Sequence, residues 1–119
     1  MRELTDLEKT ILTLMDRHKG RDNRISRPEM VSALSAALNR AITDRNMRKV
    51  IETLRYDHPR GAYICSSIEG GYYKARTDAE LSRYLEQEEK RAKIILARIS
   101  RQRLRASNAK NTSLPIGGL

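Results

Sequence analysis

Apolar residues recur at helical spacing from the start of the chain. Leu7, Ile11, Leu14 and Met15 share one face, the repeat of an amphipathic helix, while Leu12 falls off it. Thr5-Asp6-Leu7-Glu8 opens this stretch as a capping box, in which the hydroxyl and the Glu satisfy amide donors reciprocally. Gly20 supplies a stop, so the pattern predicts a helix over 6–18. Ser26-Arg27-Pro28-Glu29 repeats the capping signature with proline in the first turn, where a missing N–H costs nothing. Met30, Val31, Leu34, Ala37 and Leu38 then form the stripe of a second helix, 27–38. Asn39-Arg40-Ala41-Ile42 breaks it, asparagine being suited to a left-handed turn. Thr43 caps a third helix to about 57, with Met47, Val50, Ile51 and Leu54 as its stripe. Pro59 ends it by disfavouring helix in the residue before.

The period then changes. Tyr63-Ile64-Cys65-Ser66-Ser67 and Tyr72-Tyr73-Lys74-Ala75 flank Ile68-Glu69-Gly70-Gly71, a β-hairpin pattern with glycines where positive φ is needed. A brief strand at Arg24-Ile25 would complete a three-stranded sheet. Thr77-Asp78-Ala79-Glu80 is a third capping box and starts the longest helix, 77–105, whose face carries Leu81, Tyr84, Leu85, Ala92, Ile95, Leu96 and Ile99. Residues 106–119, rich in Asn, Ser and Gly, read as a flexible tail. The predicted fold is mainly α with a small hairpin: a winged helix-turn-helix domain over 1–76, recognition helix about 44–57, wing about 63–75, followed by the long C-terminal helix.

Charge sharpens this reading. Of 24 Lys+Arg and 15 Asp+Glu in 119 residues, eight cations and no acid fall between Lys90 and Lys110, and residues 1–89 are nearly neutral at +1. A net charge of +9 concentrated in one segment attracts polyphosphate backbones. No apolar run approaches the ~20 residues of a membrane helix. No apolar core follows Met1-Arg2-Glu3, so neither a membrane nor a secretory leader is expected. The sole cysteine, Cys65, has no internal partner, which fits a reducing cytoplasm.

The candidate base readers on the third helix are Arg45, Arg48 and Lys49, which point away from the apolar stripe, and Asn46, which flanks it in the first turn. Arg suits bidentate bonding to guanine and Asn to adenine. Lys74 and Arg76 are the wing's cations, placed for phosphates or a minor groove. Tyr72 and Tyr73 point to opposite faces by strand alternation, one into the core and one toward a phosphate or the long helix. Lys90, Arg91, Lys93, Arg98, Arg101, Arg103 and Arg105 form a basic helix with two alternative uses. It either grips DNA phosphates or is the solvated side of a helix whose stripe packs on the domain or a second subunit. Leu85, Ala92 and Ile99 repeat at seven, but Glu88 and Gln102 interrupt the alternate seam positions of a coiled coil. His18 and His58 lie far apart beside helix ends, and no metal spacing, phosphate-binding glycine loop or nucleophile motif occurs. Neither enzymatic activity nor a cofactor, metal or small-molecule substrate is expected.

Ile64-Cys65-Ser66-Ser67, Gly70-Gly71-Tyr72-Tyr73, Ala75-Arg76-Thr77, Glu80-Leu81 and Tyr84-Leu85 resemble small winged-helix proteins encoded in phages and prophages. The pattern leads there into a helix with an Arg-Ala pair, here Arg91-Ala92, and a basic end. Leu38 to Leu54 also looks like that family's turn and recognition helix, and the likeness covers about residues 5–105. It implies a double-stranded DNA-binding protein of phage replication or transcription regulation, acting on the nucleoid of a bacterial host. A protein-interaction adaptor in a replication complex is the alternative. A homodimer through the C-terminal helix is the expected assembly if a second subunit covers its stripe.

Overall fold

Thr5 caps the first helix as the sequence predicts. Its hydroxyl accepts the Glu8 N–H at 3.1 Å and the Glu8 carboxylate accepts the Thr5 N–H at 2.9 Å. The computed structural model describes residues 2–111, and it divides into two compact units, one up to Ser82 and one from Arg83 onward. In the first, helix α1 spans Asp6–Met15. It ends three residues short of the predicted 18 because the Arg17 and His18 N–H groups turn to Leu14 and Met15 carbonyls, the tighter i→i+3 bonding that closes helices. Its buried face is centred on Leu7, Glu8, Ile11, Leu12 and Met15. Leu12, expected off the apolar face, is therefore core, and Leu14 is only half-buried.

Helix α2 spans Arg27–Leu38, capped by Ser26, and ends on Asn39 at φ 51°, the left-handed conformation anticipated for that residue. The turn to α3 is fastened twice: Arg40 N–H donates to the Ser35 carbonyl, and Ile42 N–H donates to Ser35 Oγ at 3.0 Å. Ile42, read from the sequence only as part of a break, is 5% exposed and anchors the turn in the core. Helix α3, Asp44–Asp57, is capped by Thr43 and buries Met47, Ile51 and Leu54. Gly61 follows under its last turn. A Cβ there would lie 2.1 Å from the Leu54 carbonyl oxygen, so only glycine permits so close a crossing.

Strands β1, Ile64–Ser66, and β2, Tyr72–Lys74, pair antiparallel with Cys65 opposite Tyr73. The expected third strand is reduced to one residue: Ile25 and Tyr72 exchange both backbone bonds at 2.9 Å. Gly71, at φ 86°, backs onto this point, where a Cβ would sit 2.1 Å from the Ile25 oxygen. On the other side of the bridge, Lys74 N–H donates to the His18 carbonyl and Gly20 N–H to the Lys74 carbonyl. These bonds cover the outer edge of β2. Tyr72 joins the core of Leu7, Ile11, Met15, Met30, Leu34, Ile51, Leu54 and Ile64, and Tyr73 is buried opposite it at 5% exposure. Neither tyrosine is free for a phosphate. Each fully buried Leu or Ile here contributes about 1.5–3 kcal/mol through removal from water.

Helix α4 spans Asp78–Asn111. The Thr77 hydroxyl accepts the Glu80 N–H at 3.1 Å, but the Glu80 carboxylate turns to the Arg76 N–H at 2.7 Å, so the third capping box is only half formed. The helix does not stop at 105. Ala106 and Ala109 favour it, and neither Gly nor Pro intervenes before Pro115, so residues 106–111 are helical rather than tail. The rest of the predicted tail, 112–119, lies outside the described residues. Within the second unit, Leu85, Ile94, Ile95, Leu96, Ile99 and Leu104 are all exposed. Among the described residues, no helix is long and apolar enough to cross a membrane.

Candidate nucleic-acid interface

Helix α3 turns Met47, Ile51 and Leu54 inward, with Val50 half-buried beside them, which leaves Arg45, Arg48 and Lys49 pointing away from the core and Asn46 at its flank. All four are exposed. The Asp44 carboxylate organises this end of the helix. It holds Arg48 Nε at 2.9 Å one turn along and reaches across to Arg27 Nε at 3.2 Å on the first residue of α2. Two helices thus share one acid, with a guanidinium on either side. Tyr56, further along the same helix, is 80% exposed.

Arg55 has a different role. Its Nε donates to the Ile64 carbonyl at 3.0 Å and its Nη2 to Ser66 Oγ at 2.8 Å, while the guanidinium carbon lies 5.7 Å from the Tyr72 ring centre. The fork ties α3 to β1 and fixes the hairpin beside the helix. Burial raises the Tyr72 hydroxyl above its ordinary range, with Arg55 opposing the rise. On the other face, burial pushes the Cys65 thiol up to about 11 and the Tyr73 hydroxyl up to about 12. Cys65 is consequently a packed, protonated thiol.

The hairpin cations are less available than the sequence suggests. Lys74 Nζ lies 2.7 Å from Asp16 Oδ1, and Arg60 Nη2 is 2.7 Å from Asp16 Oδ2. The Lys74 bond, with Arg60 assisting, holds the Asp16 carboxyl below the usual range. Lys74 therefore clamps β2 to the end of α1. Arg76 is exposed and lies over Gly20. At the hairpin tip, Glu69 accepts from the Ser67 hydroxyl and pairs with Arg21 at 2.5 Å and Arg24 at 3.7 Å. The Ser67 and Arg21 bonds lower its carboxyl. Ile68 beside it is 83% exposed. Between tip and α2 lies an open cleft of about 730 Å³ whose walls include Arg24, Ser26, Arg27, Pro28 and Ile68.

In the second unit Lys90, Arg91, Lys93, Arg98, Arg101, Arg103 and Arg105 are exposed on α4. Arg91 approaches Glu88 at 3.6 Å and Lys93 approaches Glu89 at 3.2 Å. Arg98, Arg101, Arg103 and Arg105 make no ion pair among the described residues. The four sequence-identified positions on α3 are all exposed in its first two turns. The Asp44–Arg48 pairing was legible as an i, i+4 spacing. Arg27 escaped because its pairing with Asp44 depends on how α2 docks, and Arg55 because nothing local marks its partners on β1. No known protein family, curated protein or solved structure matches the chain.

Proposed function

We propose that the chain is a winged helix-turn-helix protein that binds double-stranded DNA, with α2 and α3 as the helix-turn-helix and β1–β2 as the wing. The observation that carries this reading is the shared exposure of Arg45, Asn46, Arg48 and Lys49 in the first two turns of α3, flanked by Arg27 from the start of α2. A helix about 10–12 Å across fits the ~12 Å major groove, and these four side chains occupy its first turns, where base edges are read. Arg24, Arg27 and Arg76 are the phosphate contacts around it; Lys74, held by Asp16 with its side chain only 23% exposed, is not. The basic residues of α4 add sequence-independent attraction. The resemblance of the hairpin region to phage and prophage winged-helix proteins supports a role in replication or transcription regulation, and the proposal includes no catalytic step.

Anisotropy titrations on a duplex library across 50–200 mM salt test the proposal. Arg24→Ala with Arg76→Ala lowers the salt slope by about 1.8, two phosphate contacts at ~0.9 each. Arg48→Ala relaxes preference at one base pair rather than weakening all sequences alike. Absence of duplex binding at 50 mM salt overturns the reading. The exposure of Tyr56 and Ile68 favours the second reading, a protein-interaction adaptor. It requires duplex binding to be absent and partner capture to depend on these two side chains.

A further inference from the structure

The second unit presents a helix that water alone does not favour. Leu85, Ile95, Leu96 and Ile99 are exposed along it, two of them β-branched and poor helix formers, and isolated helices draw most of their stability from packing an amphipathic face. Its charge is also polarised. Residues 83–89 carry Glu86, Glu88 and Glu89 against one Arg83, whereas every charged residue from Lys90 to Lys110 is a cation.

We infer that α4 pairs with α4 of a second copy, antiparallel, about a two-fold axis at Lys90. Seam residues then face those equally distant from Lys90 on the other copy. Leu85 meets the partner's Ile95. Glu88, which lies 3.6 Å from Arg91 of its own chain, meets the small partner's Ala92, which leaves it room to reach solvent. The interruption of the heptad at Glu88 is accommodated in this register. Ile94 and Leu104 fall outside the seam. Charge selects the direction: residues 83–89, net −2, lie against residues 91–97 of the other copy, where Arg91 and Lys93 give +2. A parallel pair would set the cationic ends side by side. An antiparallel arrangement also carries the arginines from Arg98 onward outward at both ends. The inference stands independently of the nucleic-acid reading, because it concerns the protein without DNA.

Sedimentation equilibrium of the full chain at ~10–200 µM, without nucleic acid, reads it directly. The expected mass rises to twice 13.7 kDa, Leu85→Glu and Ile95→Glu each return it to the single-chain value, and Glu88→Leu shifts dimer formation to lower concentration. Orientation is read by oxidising a mixture of Leu85→Cys and Ile95→Cys chains, with Cys65 buried and out of reach. The mixed disulfide is expected; predominance of like-with-like disulfides overturns the antiparallel register. A chain monomeric at 200 µM overturns the inference outright, including the case in which a duplex is what covers the helix.

Discussion

Replacing Asp44 by Asn is expected to move stability and DNA affinity in opposite directions. Asp44 is the common acid of Arg48, at 2.9 Å, and Arg27, at 3.2 Å, and its side chain is 38% exposed. Exposed ion pairs are each worth about 0.2–1 kcal/mol, and an acid in the first helical turn a further ~0.3–1 kcal/mol. The substitution therefore costs about 1 kcal/mol, or a melting temperature ~4–8 °C lower for a domain of this size. Asparagine keeps the shape and removes one negative charge between two guanidiniums that face the proposed duplex. One more cation is then uncompensated, so the log–log salt slope for random duplex steepens by about 0.9. Affinity rises several-fold at 50 mM salt, and by 200 mM the gain has shrunk by a factor of about 3.5. Thermal melting by circular dichroism and anisotropy at four salt concentrations read both quantities on the same preparation. An unchanged slope, or a fall in affinity, would show that Arg27 and Arg48 do not approach the duplex and would refute the argument.

Other expectations follow from the same geometry. Bonds from Arg2, then from the Thr5 cap, hold the Glu8 carboxyl at about 2 against an ordinary 4.5. A depressed carboxylate stabilises above the unfolded value and loses that contribution as pH falls through the folded one. Arg2→Ala should therefore lower the melting temperature at pH 6, with the difference from wild type vanishing between pH 4.5 and 2; a constant difference would exclude the pair as its cause. Arg55→Ala removes two hydrogen bonds from a charged donor and leaves the Ile64 carbonyl without that partner, a loss of about 2 kcal/mol by urea denaturation. Arg55→Lys should not restore it, since an ammonium cannot supply the fork. Changing Arg98, Arg101 and Arg105 together to Gln should flatten the salt slope without altering sequence preference in the duplex library; altered preference would make α4 a base reader.

The local signals along this chain sufficed for its elements. Capping residues Thr5, Ser26 and Thr43, the Asn39 break and the paired glycines at 70–71 each satisfy a backbone requirement within a few residues. The bounds of α2 and α3 and the place of the hairpin could accordingly be read without coordinates. The outer face of α3 was legible for the same reason, as the complement of an apolar stripe. Contacts between elements were not. Whether a cation is open to a ligand depends on which acid the fold brings to it: Lys74 meets Asp16 across 58 residues, and Arg27 meets Asp44 only once α2 and α3 have docked. Burial of Leu12 and Ile42, and of both hairpin tyrosines, likewise depended on how many surfaces close around each position. Sequence period reports one face of an isolated element, whereas tertiary packing decides how many of its faces are covered.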